Sequence, residues 1–109
     1  MGMEVSNQPP LVSQVYEILK RVEDPELAIN IVDLGLVYHV AVQPGGRVDV
    51  DFTVTYPGCP AAQDIYDNII EIVQTLPGVT EVSPHLVWDP PWRYSFMSEA
   101  ARLELGYPI

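Results

Sequence analysis

Cys59 is the side chain with the widest chemical reach here, and it is the single cysteine in 109 residues. It stands in Thr53-Val54-Thr55-Tyr56-Pro57-Gly58-Cys59-Pro60, where an alternating strand pattern runs out through a tight turn and a helical pattern begins. Free backbone amides and the positive end of the dipole at a helix cap favour thiolate over thiol. The expectation is a lowered pKa and a sulfur, reachable from outside the fold, that is both ligand and nucleophile. Position alone suits equally well a small buried apolar residue at a strand-to-helix turn. Thr53 and Thr55 fall on the polar side of their strand, so their hydroxyls could line the floor beneath the thiol, although threonine is also an ordinary strand residue. Asp24 and Glu26, in Asp24-Pro25-Glu26, and Asp33, before Leu34-Gly35-Leu36, offer carboxylates that could complete a metal site or accept a proton. Fifteen acidic residues are present, so each of these also suits a solvated turn.

One thiolate cannot supply the four ligands of an ordinary iron-sulfur or structural zinc site, so any cluster must borrow ligands. Neither His39 nor His85 lies at a recognisable zinc spacing from Cys59 or from the other, and both read as structural. No serine-histidine-acid arrangement, glycine-rich phosphate loop or Cys-x-x-Cys pair occurs. A thiol enzyme would need a base beside Cys59, and the sequence points to none. Trp88-Asp89-Pro90-Pro91-Trp92 is stiff and aromatic. Trp88 and Trp92 could form a ledge for a partner, or could close the core as most tryptophans do.

The formal net charge of −10, from fifteen acidic and five basic side chains, repels a phosphate backbone and argues against nucleic-acid binding. No apolar run approaches the roughly 20 residues that span a bilayer, and Met1 to Pro10 lacks the pattern of a signal peptide. A lone cysteine cannot close an intramolecular disulfide, which suits a reducing compartment. A cytoplasmic protein with no membrane attachment is expected.

The elements that must position these residues follow from periodicity. Leu11, Val12, Val15, Ile18, Leu19 and Val22 recur at helical spacing, opposite Gln14, Glu17 and Lys20, and Asp24-Pro25 should end that helix. Even positions from Leu36 to Val42 and from Val48 to Val54 are apolar, so two strands follow, joined through Pro44-Gly45-Gly46 as a hairpin. Pro60 opens a second helix, with Ala62, Ile65, Ile69, Ile72, Val73 and Leu76 inward, and Pro77-Gly78 stops it. Val79 to Trp88 is a third strand, placed at an edge or bulge by Pro84. A last helix starts at Ser98 as its cap and reaches about Leu105 before Gly106. The order helix-strand-strand-helix-strand-helix predicts a two-layer α+β fold, helices on one face of a small mixed sheet. One core fits this length, so residues 9–109 form one domain behind a loose arm, residues 1–8.

Asp24-Pro25-Glu26, Ile31 to Tyr38, Thr53 to Pro60, Leu76-Pro77-Gly78-Val79 and Trp88 to Trp92 together resemble the metal-sulfur cluster assembly factor family. The resemblance runs in order from about Leu11 to Leu105. That family includes a protein associated with the bacterial SUF system, the PaaD subunit of phenylacetate degradation and the eukaryotic cytosolic iron-sulfur targeting factor. The resemblance implies a maturation role without turnover, helping clusters reach apo-proteins, with Cys59 as the motif cysteine and Asp24, Glu26, Thr53 and Thr55 around it. It implies SUF-type assembly proteins and apo-protein targets as partners, and the absence of an extra cysteine-bearing extension points to the stand-alone SUF-associated type. With the residue reading, it implies that Cys59 binds iron or a cluster transiently, completed by a second chain or a partner, and a symmetric dimer could pair two Cys59 sulfurs. Two alternatives stay open: a metal-free adaptor working through Trp88 and Trp92, and a small thiol-dependent enzyme.

Overall fold

Strict alternation of apolar and polar side chains makes Arg47–Phe52 a strand with one buried face, and its neighbours assemble around it. The computed structural model describes residues 8–106. The arm expected over residues 1–8 falls, except for Gln8, outside the described residues, as do residues 107–109. In chain order the elements are α1 (Val12–Leu19), β1 (Val37–Val42), β2 (Arg47–Phe52), α2 (Ala61–Val73), β3 (Glu81–Leu86), a short 3-10 turn (Tyr94–Phe96) and α3 (Glu99–Leu105). That is the expected order of helices and strands.

β2 is central, pairing antiparallel with β1 and parallel with β3. The α+β reading therefore holds, with a mixed sheet of three strands. α1 packs on β1 and α2, and α2 packs on β3. Val48, Val50 and Phe52 face this layer fully buried, with Val15, Leu19, Ile65, Ile69 and Val73 against them. Burying such a side chain is worth about 1.5–3 kcal/mol, which is why the apolar stripe rather than helix propensity fixes these positions.

The hairpin turns where expected: the Gln43 amide donates to the Arg47 carbonyl at 2.8 Å. Gly46 has φ of 97°, and a Cβ there would collide with the Gly78 carbonyl, so both its conformation and the close approach of the α2–β3 loop require glycine. Pro84 does sit on an edge strand, opposite Val50, where a missing N–H is tolerated. Ser98 caps α3 by accepting the Ala101 amide at 3.1 Å, and Gly106 leaves it with φ of 81°.

Element ends differ from the sequence expectation in several places: α2 stops at Val73, short of Leu76 and Pro77-Gly78, and β3 covers only Glu81–Leu86 of the expected Val79 to Trp88. α1 stops at Leu19, before Asp24-Pro25, and its first apolar residues, Leu11 and Val12, are exposed because the helix only begins there. In β1 an irregularity between Val37 and His39 breaks the alternation, so Val40 is buried but Tyr38 is only half-buried. β2 leaves the ladder after Phe52, and Phe52, Thr53 and Val54 are then buried in succession. Among the described residues, no helix is long and apolar enough to cross a membrane.

Candidate functional site

Tyr56-Pro57-Gly58-Cys59 closes as a β-turn, the Cys59 amide donating to the Tyr56 carbonyl at 3.2 Å. Proline in the second position and glycine with φ of 81° in the third are the signature of a type II turn. Space is open where a Cβ on Gly58 would go, so glycine is needed there for its positive φ and not for lack of room. The turn delivers Cys59 immediately before α2: Pro60 is the helix cap, one residue later than the expected cap, and the Cys59 carbonyl accepts the Ala62 amide at 3.2 Å.

The sulfur is not open to solvent. Cys59 is 5% exposed and joins the core cluster, which corrects the expectation of a thiol reachable from outside. It does face a carboxylate: Sγ lies 3.8 Å from Glu26 Oε1, with the thiol as donor. Tyr56 belongs to the same group, and sequence reading missed it. Its phenol pKa is raised above the ordinary 10.0, by partial loss of solvent first, then by the negative charge of Glu26 and Cys59 and by hydrogen bonds to both. The phenol therefore stays protonated at neutral pH and is available as a donor to sulfur and carboxylate. The signal that could have found it is the turn itself, since a Pro-Gly turn returns its first residue to its fourth.

Glu26 is held from beneath by Asp24, which is 1% exposed. Asp24 Oδ1 accepts the Glu26 amide at 2.7 Å and the Leu27 amide at 3.2 Å. The Asp24 amide donates to Ile29 at 3.0 Å, and the Asp24 carbonyl accepts from Ala28 at 2.7 Å. Ala28 takes a left-handed φ of 59° to close this loop, a conformation disfavoured for a residue with a Cβ. The second oxygen, Asp24 Oδ2, is buried without a hydrogen-bond partner.

The remaining sequence candidates are distributed differently. Thr53 is fully buried, its amide on the Leu36 carbonyl at 2.8 Å and its hydroxyl only 3.5 Å from the Val54 carbonyl, so it serves the end of β2. Thr55 lines a cavity of about 520 Å³ with Val54, Tyr56, Pro57, Trp88, Pro91 and Trp92. Trp88 is 46% exposed, whereas Trp92 is half-buried with its indole N–H on the Leu34 carbonyl at 2.8 Å. The aromatic segment thus both closes the core and leaves an apolar opening. Asp33 stands apart from the thiol group: its carboxylate accepts from Asn30 at 2.8 Å, its carbonyl accepts the Ser98 amide at 2.7 Å, and it lines a cleft with Glu23, Ala101 and Glu104. His39 is exposed on β1, and His85 lies 3.4 Å from Asp49 on the outer face of the sheet.

The structure therefore brings Cys59, Glu26 and Tyr56 together over Asp24, with an apolar cavity sharing the Tyr56 wall. Cys59 and Glu26 are the two soft-or-hard donors that could hold a metal. Among the described residues no group of three or more histidine, cysteine or acidic side chains is placed to hold one.

Against known families, residues 13–83 match the model described as iron-sulfur cluster assembly protein. A protein of Porphyromonas gingivalis named Fe-S protein maturation auxiliary factor is 42% identical over 93 residues, covering 85% of this chain and 89% of that protein. The Fe-S protein maturation auxiliary factor SufT of Staphylococcus aureus is 42% identical over 83 residues, covering 76% of this chain and 94% of its own. A crystal structure of a domain of unknown function from Bacillus anthracis superposes with a TM-score of 0.84 at 35% identity, over 96% of this chain and 95% of that one.

Proposed function

The chain belongs to the iron-sulfur cluster assembly protein family, and from that membership we propose that it carries iron or an iron-sulfur cluster to apo-proteins with Cys59 as a transient ligand. The observation that carries this reading is the pairing of the lone thiol with Glu26 at 3.8 Å, the Glu26 loop being held by Asp24. When the sulfur takes up iron it gives up its proton, and the Glu26 carboxylate stands in place to accept it or to bind beside the sulfur. Two donors leave most of the coordination sphere open. A second copy of Cys59 in a symmetric dimer, or the thiolates of a partner, completes it, and exchange of those ligands releases the cargo without turnover by this chain. The relatives of Porphyromonas gingivalis and Staphylococcus aureus, both named Fe-S protein maturation auxiliary factors, support the same reading. The partners on this account are SUF-type assembly proteins and cluster-requiring apo-proteins, in the cytoplasm.

The test is delivery. The chain, loaded anaerobically with iron and sulfide, is mixed with the apo-form of a cluster-requiring enzyme, and recovered activity is followed. Cys59→Ser should restore none of it. Equal recovery with Cys59→Ser would remove the ligand role and leave the adaptor reading, which the exposed Trp88 and its apolar cavity favour.

A further inference from the structure

Asp51 lies on the face of β2 opposite the buried Val48, Val50 and Phe52, and there it helps to line a cavity of about 600 Å³ that the cargo reading does not use. The other walls include Tyr38, His39, Val87, Asp89 and Phe96. Among the described residues, no lysine or arginine lines this cavity, and no hydrogen bond or ion pair engages either of its carboxylates. We propose that it is a docking site for an arginine side chain of a partner protein, the guanidinium held by Asp51 and Asp89 and the stem laid on the apolar wall.

The walls are tied to one another before any ligand arrives. The Tyr38 hydroxyl donates to the Pro90 carbonyl at 2.8 Å, joining β1 to the segment after β3, and the Val87 amide donates to the Phe52 carbonyl at 2.8 Å. A Cβ on Gly35 would collide with the Phe96 backbone, so glycine lets Phe96 close one end of the cavity. The Tyr38 and Phe96 rings meet edge to face, their centroids 6.0 Å apart. Residues 87–92 divide their side chains between two cavities: Val87, Asp89 and Pro90 line this one, and Trp88, Pro91 and Trp92 line the one beside Tyr56. Two carboxylates without a counter-charge, set among apolar side chains, match a cation carried on an apolar stem. A guanidinium suits them better than an ammonium, because its five N–H donors fork between two carboxylates and its plane packs on an aromatic ring. β1 is an edge strand of the sheet, so an extended segment of the partner can run beside it and present the side chain. Neither Cys59 nor a metal takes part, and the site stands or falls apart from the cargo reading.

The experiment is an NMR titration of the full, isotope-labelled chain with an acetylated and amidated peptide, Gly-Ser-Arg-Ser-Gly. Amide signals of Tyr38, His39, Asp51 and Asp89 should shift and saturate. The same peptide with lysine in place of arginine should bind more weakly, and with glutamine it should leave those signals unmoved. Asp51→Asn and Asp89→Asn should each weaken the arginine peptide about tenfold or more, the factor expected from losing a hydrogen bond between charged groups. The remaining signals establish that each variant is folded, and Asp89→Asn, at an exposed position, decides if Asp51→Asn is not. Absence of saturable shifts at these four residues, or wild-type affinity in the folded asparagine variants, would overturn the site. Agmatine, a free guanidinium on an apolar stem, is the competing arm. Tighter binding of agmatine than of the peptide would assign the cavity to a small molecule and overturn the protein partner.

Discussion

A thiol is a weak donor, so its orientation toward Glu26 depends on what holds the carboxylate in place, and that is Asp24. Removing the Asp24 side chain leaves the amides of Glu26 and Leu27 without their acceptor. Asp24→Ala should therefore lower unfolding stability by about 1–3 kcal/mol, read as a lower urea midpoint at unchanged slope. A smaller loss would mean that the orphaned Oδ2 already costs what Oδ1 contributes. At this scale the sequence is informative about Cys59 and its Pro-Gly turn, because φ-restricted residues announce local geometry. Glu26 is visible only as one of fifteen acids, and nothing in its type separates it from Asp33, which the fold turns toward Asn30. Thr53 shows the limit of alternation: once β2 leaves the ladder at Phe52, a polar position no longer implies an exposed one.

Elements position the site through two anchors, α2 behind Cys59 and β2 in front of it. Ile69 on α2 is fully buried against the sheet, and Ile69→Ala should cost about 2–5 kcal/mol, measured by the same urea titration. On the outer face of β2, burial pushes the Asp49 carboxyl up, but hydrogen bonds from Gln43, His85 and Arg47, with the charge of Arg47, outweigh it and hold the pKa below the ordinary 3.8. A carboxylate whose pKa is lower when folded stabilises the protein above the unfolded value, and that contribution is lost as pH falls through the folded value. Stability measured from pH 6 down to pH 2 should fall less steeply for Asp49→Asn than for the wild type. Equal slopes would show that the cross-strand bonds contribute nothing. Helix faces and β2 are legible in sequence because their periods are unbroken. The end of α1 and the irregular start of β1 are not, since Lys20-Arg21 carries no stop signal and a bulge has no residue signature of its own.

For the whole molecule, the ten net negative charges bear on the proposed encounter with an acceptor. Steering by that charge is screened by salt, the Debye length falling from about 10 Å at 0.1 M to about 3 Å at 1 M. Delivery to an acceptor with a basic face should slow by roughly tenfold across that range, as monitored by recovered acceptor activity. A salt-independent rate would place recognition in the apolar cavity alone. The fold class and the family resemblance span most of the chain and were readable from ordered motifs, whereas burial of the thiol is a tertiary property that no window of sequence contains. The most direct measurement of the central claim is anaerobic reconstitution with iron and sulfide, comparing visible absorption and bound iron for the wild type and Cys59→Ser. Sulfur-to-iron charge-transfer bands with retained iron in the wild type, both lost in the serine variant, are the predicted result. Matching spectra and matching iron content in the two proteins would contradict it.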